Sequence, residues 1–216
     1  MIINNYLTNI LLGVGLFKFQ YLFFSNFVNP LTAQSLYSTN HSIFFASICS
    51  FYKLGWLSRF GFYNLLGISL GETLYDTTLV YSQKDYPMTF HHIFMSLSIL
   101  FPMLDYYNFI NLSNNYIDHL AQVYLCEWSN IFLNYSFMLY KNNSSNTPMF
   151  RYINYGLLSS YFLLRICNFT MVEYKLVMQN SYTIAGLMAP VTFLNYYWFY
   201  KLIQKSYKLS IEDKQL

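Results

Sequence analysis

PMTFHHIFMSLSILFPM, residues 87–103, is the stretch on which the fold turns. It is apolar along most of its length and just long enough for a membrane helix, which needs about 17–25 such residues. Pro87 stands where a helix start tolerates a missing N–H, and Pro102 marks the other end. Inside it sit two adjacent histidines, His91 and His92. An imidazole facing acyl chains is costly, so it turns toward the bundle interior and marks a site.

The same pattern recurs along the chain. Asp76, Glu127, Asn134 and Arg165 each interrupt a long apolar segment. Seven such segments can be read, at about 6–27, 32–52, 61–82, 87–103, 116–140, 152–173 and 181–203. The composition agrees: 55% of the 216 residues are hydrophobic and only 10% are charged, against roughly 25% charged in soluble domains. Aromatics reach 22%, with 23 Tyr and 21 Phe, which suits lipid-facing walls and interfacial belts. An AT-rich genome would raise the Tyr and Asn counts as well, but it would not remove the charges. The expectation is an all-α membrane protein with about seven spans.

A net charge of +3 is too small and too scattered for nucleic-acid binding. Cys49, Cys126 and Cys167 each lie in an apolar stretch with no paired spacing, so no disulfide is expected. The first segment lacks a basic start and a small-residue cleavage site, and it carries Lys18 in its middle; it reads as a retained helix. Lys and Arg at the segment ends set the orientation. With a cytoplasmic C-terminus, that side holds Lys84, Lys141, Arg151, Lys201, Lys205, Lys208 and Lys214, and the other holds Lys53, Arg59 and Lys175. The Asn111-Leu112-Ser113 sequon then faces the lumen. The polar end, 206–216, is expected to be an exposed cytoplasmic tail.

At 1.5 Å per residue, Asp76 and Asn134 lie roughly 9 Å from the cytoplasmic end of their segments, and His91 and His92 roughly 6–8 Å. Glu127 is two turns deeper, His41 is about nine residues into the second segment, and Arg165 lies in the middle or lumenal half of the sixth. Facing agrees with convergence. Glu127, Asn130 and Asn134 share a helix face, as do Glu72 and Asp76, Arg165 and Asn168, and Gln34, Ser38 and His41. Such stripes also arise where polar residues merely join helices by hydrogen bonds. A metal is not expected: adjacent histidines diverge by about 100° on a helix, and no HxxxH or ExxH spacing occurs.

These residues carry a resemblance to the TLC-domain family of multi-pass membrane proteins. Asn40-His41-Ser42 resembles its early Ser/His helix, Gly71 to Tyr75-Asp76 its Gly-Tyr…Tyr-Asp segment, and Phe90-His91-His92-Ile93 its double-histidine helix. Cys126-Glu127-Trp128-Ser129 through Phe132-Leu133-Asn134, then Arg165-Ile166 and Asn195-Tyr196-Tyr197-Trp198-Phe199, are similar to its later motifs. The resemblance implies a six-helix barrel over 32–205, preceded by one extra N-terminal helix within 1–31, in an endoplasmic-reticulum-type membrane. In the ceramide synthases of this family the double histidine serves N-acyl transfer from acyl-CoA. Those enzymes continue with a His-Asp-x-x-Asp stretch. Here the histidine position falls on His119 but the two aspartates fall on Leu120 and Val123. The chain therefore looks closer to the short, lipid-regulatory members.

Two functions follow as expectations. One is acyl transfer to a lipid amine or hydroxyl, with His91 or His92 as base or nucleophile, Asp76 and Glu127 as the carboxylates that fix its tautomer, and acyl-CoA as co-substrate, no cofactor being held. His41, His119, Asn134 and Arg165 are the candidate lipid contacts. The other is non-enzymatic lipid binding or a cargo or regulatory role. The partner in either case is membrane lipid; a homo-oligomer or a membrane-protein partner stays open. A transporter is disfavoured, since neither repeats nor paired broken helices are evident.

Overall fold

The computed structural model describes residues 2–106, 116–145 and 147–212, and all of their regular structure is helical. In order these are α1 (Ile2–Ser25), α2 (Pro30–Lys53), α3 (Arg59–Ser82), α4 (Tyr86–Tyr106), α5 (Tyr116–Tyr124), α6 (Glu127–Lys141), α7 (Pro148–Tyr161), a π-helical segment (Phe162–Cys167), α8 (Asn168–Met178) and α9 (Tyr182–Glu212). The sequon at 111–113 and Lys214 lie outside the described residues, as does the side chain of Lys208.

Local sequence accounts for most helix ends. Asn29 caps α2 by accepting from the Thr32 N–H, ahead of Pro30 in the first turn. Ser58 caps α3 through Gly61 N–H, and Thr147 caps α7 through Phe150 N–H, again ahead of a proline. The Asp85 carboxylate accepts from Met88 N–H at the start of α4. Four helices end in the same way, on a left-handed residue: Gly55 (φ 75°), Lys84 (φ 61°), Asn143 (φ 54°) and Asn180 (φ 58°). Each turn carries the paired bonds of a Schellman cap, such as Asp85 N to Val80 O at 3.3 Å and Lys84 N to Tyr81 O at 3.0 Å.

Three differences from the sequence expectation have physical causes. The fifth apolar segment is not one helix. It breaks at Leu125–Cys126, where the backbone N–H groups reach back only three residues, to Gln122 and Val123. The sixth is one long helix widened in its middle by the π segment. The last helix continues through the expected tail as far as Glu212. Two described helices are long and apolar enough to cross a membrane, Leu7–Ser25 and Tyr86–Asp105. α2 and α3 have the length, at 24 residues each, but carry the polar side chains that pair inside the protein.

The chain divides into two compact units, Met1–Glu127 and Trp128–Leu216. In the first, α2, α3, α4 and α5 are successive neighbours and α5 returns to α2, while α1 lies outside against α3 and α2. α1 and α3 run in the same direction, Asn9 Nδ2 donating to Asn64 Oδ1 at 3.2 Å. Further along, their backbones touch. A Cβ on Gly13 would lie 2.1 Å from Ile68 O, and one on Gly71 would lie 2.1 Å from Ile10 O. Only glycine permits this approach. In the second unit, α6 and α9 each pack antiparallel to the long α7–α8 helix. Its core gathers Leu157, Tyr161 and Ile166 with Phe132, Leu133, Trp198, Phe199 and Leu202.

Candidate functional site

In the first unit the polar side chains pair across neighbouring helices, and α3 is the hub. Its Glu72 and Asp76 lie one turn apart on a buried face, 2% and 7% exposed. Glu72 turns toward α2. Its Oε1 accepts the Tyr37 hydroxyl at 2.5 Å, and its Oε2 lies 3.0 Å from His41 Nε2. That nitrogen is also 2.9 Å from Ser69 Oγ. An imidazole nitrogen facing a carboxylate carries its proton there, so Nε2–H is shared between Glu72 and Ser69. Phe17 of α1 closes this group from outside, its ring edge-on to His41 at 5.5 Å and to Tyr37 at 5.8 Å.

Asp76 turns the other way, toward α4. Its Oδ2 lies 3.1 Å from His92 Nε2. Its Oδ1 is buried and takes no hydrogen bond among the described residues. A buried carboxylate oxygen without a donor is unfavourable, so this atom is one that a ligand donor would satisfy. His91, the residue before His92 on α4, is also buried, with its ring 5.6 Å from that of His92. The third carboxylate, Glu127, ends the unit and accepts the Ser42 hydroxyl at 2.9 Å. Of the expected catalytic residues, then, Asp76 and His92 meet directly, and Glu127 meets Ser42.

His119 is buried in α5, whose Tyr124 hydroxyl meets Ser98 Oγ of α4 at 2.7 Å. Leu120 and Val123 are buried apolar residues of that same helix. Among the described residues no three His, Cys, Asp or Glu side chains are grouped to hold a metal ion.

The second unit holds Arg165, buried at 4% exposure and set within the π segment. Its guanidinium spreads over three acceptors: Nε donates to Ser129 Oγ at 2.9 Å, Nη1 to Asn195 Oδ1 at 3.1 Å and Nη2 to Asn130 Oδ1 at 2.6 Å. Tyr161 stacks beneath it at 5.1 Å and donates its hydroxyl to Asn195 Oδ1 at 3.2 Å. The planar fork of arginine suits such divergent acceptors. The π turn shifts the helical register at the residue that must reach them, which is where such turns commonly occur. Asn134, another expected lipid contact, is half-buried on α6.

The residues that sequence alone passed over are Tyr37, Ser69 and Ser42 as partners of the ionisable groups, and Asn195 as the hub beneath Arg165. Glu72 carried a signal, its one-turn spacing from Asp76. Tyr37 carried none, being one of 23 tyrosines.

No protein-family model, curated protein or solved structure matches this chain.

Proposed function

We propose that this chain is a multi-pass membrane protein of lipid metabolism that transfers an acyl group from acyl-CoA to a lipid amine or hydroxyl at His92 and Asp76. The observation that carries the reading is the 3.1 Å contact of His92 Nε2 with Asp76 Oδ2, beside an Asp76 Oδ1 that is buried without a donor. Asp76 holds the His92 proton on Nε2 and leaves Nδ1 as the base. Nδ1 removes the proton of the amine or hydroxyl as that group attacks the thioester carbonyl. The new C–N or C–O bond forms, the C–S bond breaks, and the CoA thiolate leaves with the proton from Nδ1. The Asp76 Oδ1 accepts a second donor hydrogen of the lipid and so orients it.

The resemblance to the TLC-domain family supports the same chemistry. It carries with it the six-helix barrel of the second to seventh apolar segments, the first segment as an extra span, an endoplasmic-reticulum-type membrane and a cytoplasmic C-terminus. His41, His119, Asn134 and Arg165 are the lipid contacts of this reading.

One observation favours a second reading, in which the protein binds lipid or serves a regulatory role without chemistry. The two acid positions of the ceramide synthases fall on Leu120 and Val123, both buried and apolar. Purification in mild detergent, mass spectrometry of co-purifying lipid and an acyl-CoA turnover assay separate the two. Acyl transfer predicts turnover that falls by about 100-fold or more in His92→Ala and Asp76→Asn, the usual scale for a general base. Turnover unchanged in both variants refutes the site. Bound lipid without turnover selects the second reading.

A further inference from the structure

We propose that the outward seam of α1, formed by Leu11, Gly15, Lys18 and Leu22, docks a membrane helix of another protein that carries a carboxylate at mid-depth opposite Lys18. The proposal rests on the membrane reading above and concerns a face the acyl-transfer site does not use.

α1 shows its neighbours in this chain one face and leaves the other open. Within the membrane-length window Leu7–Ser25 only 11% of the residues are buried. Gly13 and Phe17 face inward, against α3 and against α2. Leu11, Gly15, Lys18 and Leu22 face outward, with Leu11 63% and Leu22 50% exposed. Their spacing of four, three and four residues is that of a seam along which two helices pack side by side. Gly15 has nothing within 4 Å of where a Cβ would stand, so the seam has a notch at its middle. Small residues at such positions let a second backbone approach.

Lys18 decides what the occupant is. Among the described residues Lys18 makes no ion pair. The window runs from Leu7 to Ser25, so its midpoint is Leu16 and Lys18 lies only about 3 Å beyond it. Its side chain extends the ammonium by about 6 Å. A half-bilayer of hydrocarbon is about 15 Å thick, so the charge falls short of the headgroups by several ångströms. Pairing with an anionic lipid headgroup is therefore out of reach, and an ammonium among acyl chains is strongly unfavourable. A second copy of this chain does not serve either. Copies share one topology, so symmetric packing along the seam would bring Lys18 against Lys18. A different helix with an aspartate or glutamate at that depth satisfies the charge, fills the notch and covers the leucines.

The test uses the full chain in phosphatidylcholine vesicles, with Cys167→Ser and a donor fluorophore on Phe27→Cys. The probe is a polyleucine transmembrane peptide with one central Glu, labelled with an acceptor; the same peptide with Leu in that place is the comparison. Energy transfer should report association about 3- to 30-fold tighter for the Glu peptide, the range of polar contacts between membrane helices. Lys18→Leu should abolish the preference, and Lys18→Glu should transfer it to a peptide with a central Lys. Equal association of the two peptides, or a preference that survives Lys18→Leu, overturns the proposal. Energy transfer between donor-labelled and acceptor-labelled copies of the chain, mixed without peptide, overturns it in favour of a self-interface. Release of the chain from the vesicles by alkaline wash is a separate result, which sinks the membrane reading beneath it.

Discussion

Adding one methyl group at Gly71 should destabilise the first unit, while adding the same methyl at Gly15 should stabilise it. At Gly71 the new Cβ would stand 2.1 Å from Ile10 O and 2.9 Å from Val14 N. Both are backbone atoms of α1, and neither can rotate away. Restoring ordinary contact at 3.4 Å requires α1 and α3 to separate by about 1.3 Å along that line. Overpacking of this kind costs about 1–3 kcal/mol, and a rigid backbone neighbour places it in the upper part of that range. Alanine regains about 0.5–1 kcal/mol of helix propensity over glycine. The net loss for Gly71→Ala is thus about 1–2 kcal/mol. Gly13→Ala should lose a similar amount, since its Cβ would meet Ile68 O at 2.1 Å. One displacement of α1 relieves both clashes, so the double variant should cost at least about 0.5 kcal/mol less than the sum. Gly15→Ala has nothing within 4 Å and should gain the propensity alone. Unfolding in mild detergent measures all four. A disulfide between Asn9→Cys and Asn64→Cys, which replaces a 3.2 Å hydrogen bond, reports whether the helices stay together. If Gly71→Ala proved as stable as Gly15→Ala with that disulfide forming normally, the backbone contact does not exist. The consequence reaches the site, because Phe17 rides on α1 and its ring lies 5.5 Å from that of His41.

Two further outcomes are expected. Arg165→Lys keeps the charge but replaces three separate donors with one ammonium, and it should lose about 2–4 kcal/mol of stability, the worth of one or two charged hydrogen bonds; unfolding in detergent measures it, and a loss under about 0.5 kcal/mol would mean that Ser129, Asn130 and Asn195 do not depend on the fork. Lys84→Gly relieves a left-handed residue at φ 61° and should raise stability by about 0.5–1 kcal/mol, a change that a rise in Tm would register and a fall would refute.

The helical segments were legible because long, largely apolar runs broken by polar turns are a strong, repeated signal, although only two of the described helices are long and apolar enough to cross a membrane. The seven stretches read from sequence correspond to α1, α2, α3, α4, the α5–α6 pair, the α7–α8 helix and α9. Their interruptions were not legible. Leu125 and Cys126 are as apolar as their neighbours, so nothing in composition separates a helix break there from a continuous span. The π segment Phe162–Cys167 likewise has no marker residue; only the hydrogen-bond register distinguishes it. Lys84 and Asn143 end helices in a conformation that glycine would have advertised. At the π segment the backbone carries Arg165 to acceptors on two other helices, and that is tertiary information.

The polar site shows the same boundary more sharply. Spacing identified Glu72 and Asp76 as sharing a face of α3, because one turn of helix brings residues four apart into line. It could not say that the two carboxylates look in opposite directions, Glu72 to His41 on α2 and Asp76 to His92 on α4. A helical face is wide enough to serve two neighbours, and which neighbour each residue meets depends on crossing geometry that periodicity does not encode. That division separates two roles. Glu72 has both oxygens engaged, by Tyr37 and by His41, and behaves as a structural tie between α2 and α3. Asp76 has one oxygen on His92 and one buried without a donor, so of the two it is the carboxylate with capacity left for a ligand.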